Sequence, residues 1–472
     1  MRFRIIILML VVVSPAFAQE PPLREEADKA LRRSAEFFLQ KVASHGGYLW
    51  RYSADLQRRE GEGRADASIV WVQPPGTPSI GEAFLQAYRD TGKTFYLEAA
   101  RRAAECLIRG QLRSGGWGYH IEFSPQRRGR YAYRVEPAGK SQRNVTTLDD
   151  NTTQAAMRFL MQLDRALEFR DAELHEAVAY GLRSLLKAQY ANGAWPQRYE
   201  EFPDPKKHRT QRASFPKTWP RQWPGSKYAS YYTLNDNTMS DMIDVMLLAE
   251  DIYETKIDCL EATINAAYFL SAAQLPKPQP GWAQQYDENM QPAWARKFEP
   301  PAITGGEARG AIEAMIKVSR FTGDICLLMR VEQALDYYEK SRLPSGQLAR
   351  FYELKTNRPL YFTRKYKLTY KDDDLPTHYS FKTSNWVPRV RRQYEKAMKD
   401  RAIGELPQPS RRQVSEAEVK RVIAALDQRG AWVEDGRLRK HGEDDPTRRI
   451  ISCQTFLKNF EVLSAYCAKH QK

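Results

Sequence analysis

AFLQAYRDTGKTFYLEAARRAAECLI, residues 83–108, places apolar residues at three- and four-residue spacing on both sides of a short turn at Thr91-Gly92. This is the pattern of two amphipathic helices joined as a hairpin. The plan returns with a matching Thr-Gly turn in EAMIKVSRFTGDICLLMRVEQALDYY (313–338), and without it in 157–186 and 242–270. Between hairpins a turn built on glycine recurs, usually with an aromatic residue: GGYLW (46–50), SGGWGYH (114–120), NGAWPQRY (192–199), PGWAQQYD (280–287), SGQLARFYE (345–353) and RGAWV (429–433). A helical hairpin cannot bury its apolar face alone, so such a series must stack. The expected fold is all-α: an α/α toroid, or incomplete α/α barrel, with short strands and long loops lining a cleft at one end.

The chain opens with MRFRIIILMLVVVSPAFA, two arginines followed by an apolar run and a small-x-small end at Ala16-Phe17-Ala18. That is the pattern of a signal peptide over 1–18, and the run is short of the roughly 20 residues that span a bilayer. A secreted or periplasmic protein is expected, with no membrane attachment after cleavage, and 19–472 forming a single toroid domain. The net charge of +15 falls to about +13 without Arg2 and Arg4. Export makes nucleic acid a poor partner for this basic surface and an acidic extracellular polysaccharide a natural one. Five cysteines are too few for a disulfide scaffold. Cys106, Cys259 and Cys326 read as buried thiols, and Cys453 and Cys467 as a potential pair.

TTLDDNTTQ (146–154) returns as YTLNDNTMS (232–240), each just before the first helix of a hairpin. Two readings stand side by side. Asp and Asn are good N-caps, worth about 1 kcal/mol each, and acidic groups suit a helix N-terminus. Alternatively, Asp149, Asp150 and Asp236 face one another, and carboxylates about 4 Å apart repel by about 4 kcal/mol at an effective dielectric of about 20 unless a cation neutralises them. Hard oxygen ligands of this kind suit calcium.

Arginines also recur beside aromatics. PAWARKFEPP (292–301) and GQLARFYEL (346–354) carry Arg296 and Arg350, and Arg364 follows in PLYFTRKYK. An isolated arginine usually belongs to a solvated face. Repeated in cleft loops, its planar fork matches a carboxylate, which points to a uronic-acid substrate.

Taken in order, TTLDDNTTQ, GAWPQRYE, YTLNDNTM, PGWAQQYD with PAWARKFE and GGEARG, and LARFYELKTNRPLYFTR resemble the family 10 pectate lyases. The resemblance is strongest over 75–370. It implies an α/α toroid that cleaves polygalacturonate by calcium-assisted β-elimination to give 4,5-unsaturated oligogalacturonides, in a protein expected to be a monomer. By motif, Asp149, Asp150 and Asp236 resemble the calcium-holding aspartates. Arg296 and Arg350, with Asn235 and Tyr352, resemble substrate-binding groups, and Arg364 resembles the arginine that takes the proton. Guanidinium normally keeps its proton, its pKa being above about 12, and neighbouring cations would favour the neutral form such a base needs.

The sequence departs from the family in its Asp149-Asp150-Asn151 and Asn235-Asp236-Asn237 turns, and in Lys365-Tyr366 after Arg364. A basic, tryptophan-containing insertion over 206–227 reads as a flap or as a surface loop, and 373–472 diverges as ring completion. No HExxH, GxSxG or P-loop pattern occurs. Two other functions fit the same features: an inverting glycoside hydrolase on an α/α toroid, and a non-catalytic protein that binds pectin or another uronan.

Overall fold

The computed structural model describes residues 22–225, 227–253, 258–400, 404 and 412–469. The expected signal peptide lies outside them. No described helix is long and apolar enough to cross a membrane.

The helices are α1 (Leu23–Phe37), α2 (Thr77–Thr91), α3 (Thr94–Arg109), the single turn α4 (Pro125–Arg128), α5 (Thr152–Ala166) and α6 (Ala172–Lys187). They continue as α7 (Thr238–Tyr253), α8 (Cys259–Ala273), α9 (Ala308–Thr322), α10 (Val331–Lys340), α11 (Val387–Lys399), α12 (Glu416–Ala424) and α13 (Cys453–Lys469). The opening hairpin is α2 and α3. Its Thr-Gly turn ends α2 with the Thr91 hydroxyl donating to Ala87 O at 2.6 Å and the Gly92 N–H to Tyr88 O at 2.7 Å. Thr322 and Gly323 end α9 in the same way, on Val318 O and Ser319 O.

In sequence around the ring, α13, α2, α5, α7, α9 and α11 each pack on the next. The helices α12 and α1 lie behind α13, α3 behind α2 and α5, α8 behind α7 and α9, and α10 behind α11. The fold is therefore an α/α toroid. The divergent C-terminal segment brings α12 and α13 back against α1 and α2, while no packing of comparable extent joins α11 to α13 among the described residues. The core follows this ring from Ala27 to Cys467.

The recurring glycine turns show why the repeat exists. Trp117, Trp195, Trp282 and Trp432 are all buried, and each indole N–H donates to a carbonyl in the last turns of the preceding outer helix: Leu107, Leu185, Leu270 and Val422, at 2.8–2.9 Å. One bulky ring thus fills the space behind a helix end and satisfies one of its orphan carbonyls. Gly193, at φ +91°, lets this turn touch the next outer helix: a Cβ there would lie 2.2 Å from Asn265 O in α8. These tryptophans are core groups and present no face to a sugar.

The cysteines differ in part from expectation. All five are free, and Cys326 is exposed where a buried thiol was expected, because it sits in a short 3-10 turn between α9 and α10. Cys453 and Cys467 lie at opposite ends of α13, about 21 Å apart at 1.5 Å per residue, which rules out their pairing.

Candidate active site and acidic cluster

At one end of the ring, each of four inner helices is entered from a short strand pairing. Ile69–Trp71 pairs with His120–Glu122 ahead of α2, Thr146–Thr147 with Arg198–Tyr199 ahead of α5, Tyr232–Thr233 with Gln285–Tyr286 ahead of α7, and Ala302–Thr304 with Phe351–Glu353 ahead of α9. Between strand and helix lie, in order, Gln73, Asp149-Asp150, Asn235-Asp236 and Glu307. The carboxylates of the acidic cluster, with Gln73, Asn235 and Glu307, all hang from this repeated junction.

The two acidic turns share one backbone shape. Asp150 and Asn151 have φ of 50° and 58°, and Asp236 and Asn237 have 49° and 59°. Two consecutive left-handed residues are costly for most side chains and least so for Asn and Asp, which accounts for the residue types. Capping does not account for them: Asn151 makes no side-chain cap bond to α5. The Asp149 carboxylate instead accepts from the Tyr119 hydroxyl at 2.8 Å and from Arg198 Nη2 at 3.1 Å, and Asp150 accepts from Gln73 Nε2 at 3.0 Å.

The two turns pack against each other and bring one oxygen each of Asp149, Asp150 and Asp236 within 4.8 Å of one another. Burial first, then Asp149, Asp236 and Glu62, push the Asp150 carboxyl up to about 7, with Arg296 opposing. Asp236 is also raised, by burial and then by Asp149, against Arg296 and Arg350. The donor set fits calcium on two counts. Two oxygens each 2.3–2.6 Å from one ion lie at most about 5 Å apart, which the 4.8 Å spread satisfies. Asp149 Oδ1 and Asn235 Oδ1 are buried without a hydrogen-bond partner, and a cation would satisfy such oxygens.

The arginines divide. Arg296 reaches the cluster, with Nη2 3.4 Å from Asp236 Oδ2. It is held there by Glu299, a buried carboxylate that takes both its backbone N–H (3.1 Å) and its Nε (3.2 Å). Burial would lower its pKa, but Glu299 and Asp236 outweigh this and keep it firmly protonated. Arg350 is paired with Glu307 at 2.6 Å and lies over the Tyr379 ring at 4.4 Å, and the Tyr379 hydroxyl donates to Glu299 Oε1 at 3.1 Å. Asp236, Glu307 and Arg350 line a cavity of about 480 Å³ together with Asp241, Arg309 and Lys317.

Two expected site residues stand elsewhere. Tyr352 is buried in the core: its hydroxyl donates to Ser341 O at 2.6 Å and accepts from Ala349 N at 2.8 Å, so it has no face or hydrogen bond left for a substrate. Alternation along the strand Phe351–Glu353 turns it inward. Arg364 sits near the tip of the hairpin after Pro359–Phe362, with a side chain 71% exposed and Nε 3.4 Å from Asp374. The neighbouring Tyr366 stacks on Phe298 at 5.7 Å, so the hairpin rests on the Arg296 loop, while the Arg364 side chain is paired with Asp374. Asn235 does belong to the cluster, its amide donating to Asp236.

The insertion is docked. Arg221 pairs with Glu353 and donates to the Tyr370 hydroxyl, and Trp223 Nε1 donates to Ala295 O at 2.7 Å, one residue from Arg296. Sequence reasoning passed over Gln73, Tyr119, Arg198, Glu299, Glu307 and Tyr379. Glu299 and Glu307 stood inside the quoted motifs KFEPP and GGEARG, and the recurring junction before each inner helix would have pointed to Gln73.

Fold and site together define an α/α toroid whose loop end gathers three carboxylates and two anchored guanidinium groups in one cleft. Residues 132–348 match the family described as pectic acid lyase, and over this segment the chain is similar to the family 10 polysaccharide lyases, as its motifs indicate. Among solved structures, a mutant of the family 10 polysaccharide lyase from Cellvibrio cellulosa in complex with trigalacturonic acid is 18% identical, over 68% of this chain and 98% of that one, at a TM-score of 0.46. A cellobiose 2-epimerase from Bacillus thermoamylovorans is 12% identical over 94% and 99% (TM-score 0.47), and a GH76 α-mannanase from Bacteroides thetaiotaomicron 9% over 95% and 96% (0.42). No curated protein matches the sequence significantly.

Proposed function

We propose that the protein is an exported pectate lyase that cleaves polygalacturonate by β-elimination with calcium at Asp149, Asp150 and Asp236. The observation that carries this reading is the meeting of an all-oxygen acidic cluster with Arg296 at 3.4 Å. Elimination removes the proton at C5 of a galacturonate and breaks the C4–O4 bond, with negative charge developing beside the sugar carboxylate. Bound calcium supplies positive charge at that carboxylate. Arg296 and Arg350, fixed by Glu299 and Glu307, orient the sugar and add to the field where charge develops. Arg296, the guanidinium on the cluster, stays protonated beside Glu299 and Asp236 and stabilises that charge without taking the proton; the C5 proton passes to a base from solvent, and the leaving O4 takes a proton from solvent. Asn235 and Gln73 orient the carboxylates by donating to Asp236 and Asp150.

An inverting hydrolase places its acid and base about 6.5–9.5 Å apart to leave room for water, and carboxylates crowded within 4.8 Å suit a shared cation better. The test is to incubate the protein with polygalacturonate, alginate and glucuronan, with calcium and then with chelator, and to follow ultraviolet absorbance of the unsaturated uronide. Calcium-dependent growth of absorbance on polygalacturonate is expected. Saturated products, or binding without any product, would refute the lyase assignment.

The cluster also predicts a pH-dependent effect of calcium on stability. With the Asp150 carboxyl moved from 3.8 to about 7, the calcium-free folded state binds more protons than the unfolded chain between these values. Stability is then fully present at low pH and declines as pH rises through about 7. Calcium relieves the repulsion only where the carboxylates are ionised. The rise in Tm on adding calcium should be larger at pH 8 than at pH 5, read by differential scanning calorimetry. Equal rises at both would show that ion and proton do not share this site.

A further inference from the structure

Beside the acidic cluster, on the side away from Arg350, lies a second cavity of about 390 Å³ that the proposed reaction does not use. Its walls are aromatic: Trp71, Tyr119, His120 and Tyr131, with Arg143 and Lys440 among the lining residues. Two bonds join it to the cluster. Trp71 Nε1 donates to Gln73 Oε1 at 3.0 Å while Gln73 donates to Asp150, and Tyr119 donates to Asp149. Glu62, a third charged group of the lining, is near enough to raise Asp150.

The walls are set by packing. His120 stacks on Trp71 at 5.3 Å and 27°, and hydrogen-bonds the Tyr131 hydroxyl through Nε2 at 3.0 Å. Trp71 is backed by Gly61, where a Cβ would come within 2.2 Å of the indole. Arg143 and Lys440 are exposed, and neither makes a side-chain ion pair within 4.0 Å among the described residues. Unpartnered cations beside aromatic faces select a ligand that is anionic and carries a ring with an apolar C–H face. Of the lining residues, only Tyr133, Arg143 and Val145 fall in the segment that matches the pectic acid lyase family. The rest come from the N-terminal strands, the segments on either side of α4 and the segment between α12 and α13.

We propose that this cavity is a uronate subsite that holds a sugar of the acidic chain distal to the bond at the cluster, its carboxylate on Arg143 and Lys440 and its ring on the aromatic wall. The proposal rests on the uronan reading of the cluster and extends it along the chain. The Glu62 carboxylate faces the cluster end, where it accepts from sugar hydroxyls. A polymer running from the cavity past Asp149 to Arg296 then makes contacts that a short oligomer cannot.

The test uses the full protein and hexagalacturonate, with binding measured by isothermal titration calorimetry in calcium. Arg143→Ala with Lys440→Ala removes two exposed side chains, so the fold is retained, which circular dichroism checks. About a tenfold loss of affinity for hexagalacturonate is expected, with little change for a carboxyl-reduced hexamer. Tyr131→Ala should weaken both ligands. An unchanged hexagalacturonate affinity in the double variant overturns the subsite, and an equal loss for both hexamers overturns its preference for uronate. The two proposals fail differently. Normal turnover of polygalacturonate with no effect of the double variant sinks the subsite alone, whereas Arg143-dependent binding without unsaturated product sinks the lyase reading alone.

Discussion

Replacing Arg296 by alanine should lower the rate of unsaturated product formation about a thousandfold, and replacing Arg364 should lower it less than about tenfold. The first figure is the scale on which one fixed electrostatic donor at a developing charge contributes to catalysis. Arg296 is suited to that role because Glu299 takes its backbone N–H and its Nε, which leaves Nη2 aimed at Asp236. Arg364, 71% exposed and paired with Asp374, has no such carboxylate anchor buried beside it. Removing Arg296 also strands Glu299, a carboxylate 1% exposed, and breaking such a pair costs about 3 kcal/mol or more of stability. Arg296→Lys separates the two effects: it keeps a charge for Glu299 but loses the planar fork, so most of the activity loss should persist while stability is largely restored. Steady-state rates on polygalacturonate with saturating calcium, alongside urea denaturation of each variant, give the comparison. A large loss in Arg364→Ala with near-normal Arg296→Ala would make Arg364 the proton acceptor and remove Arg296 from the site of developing charge.

The division between what the sequence conveyed and what it did not follows from chain distance. The hairpins were legible because their apolar spacing is local, and α2 with α3 or α9 with α10 need only a few residues to declare themselves. The acidic turns were legible as a pair because the repeat wrote them twice, and the structure adds that Asn151 makes no side-chain cap to α5. What the spacing could not convey was the direction of a side chain on a short strand. Tyr352 and Arg350 lie two positions apart and so share a strand face in an ideal strand, yet Arg350 stands just before Phe351–Glu353 and turns to Glu307 while Tyr352 faces the core. The anchors were missed for the same reason. Glu299, Glu307 and Tyr379 are ordinary residues until the fold brings 296, 350 and 379 together, and Tyr379 comes from the segment where the family resemblance has ended.

The largest stability effect should come from the repeated turn and not from the cleft. Trp195→Ala is expected to destabilise the protein by about 4 kcal/mol, the range for truncating a large buried aromatic. The ring is 0% exposed, and its loss leaves a cavity behind the end of α6 as well as the Leu185 carbonyl without its 2.8 Å donor. The neighbourhood has little freedom to collapse into that space, because Gly193 already lies against the backbone of α8 at a separation no side chain could share. Trp195→Phe keeps most of the volume but not the N–H, and should recover about half the loss. Trp223→Ala, at a residue 40% exposed on the insertion, should cost less than about 1 kcal/mol, since its removal opens no enclosed space. Urea denaturation followed by far-ultraviolet circular dichroism measures all three, with unchanged slopes confirming that the same surface unfolds. The turn leads directly into Arg198, whose Nη2 holds Asp149 at 3.1 Å. Loosening it should therefore also weaken calcium binding, with a smaller calcium-induced rise in Tm in Trp195→Ala than in the parent. A loss near zero for Trp195→Ala would mean that the ring is held together by its inner helices alone, and that the glycine turns recur for another reason.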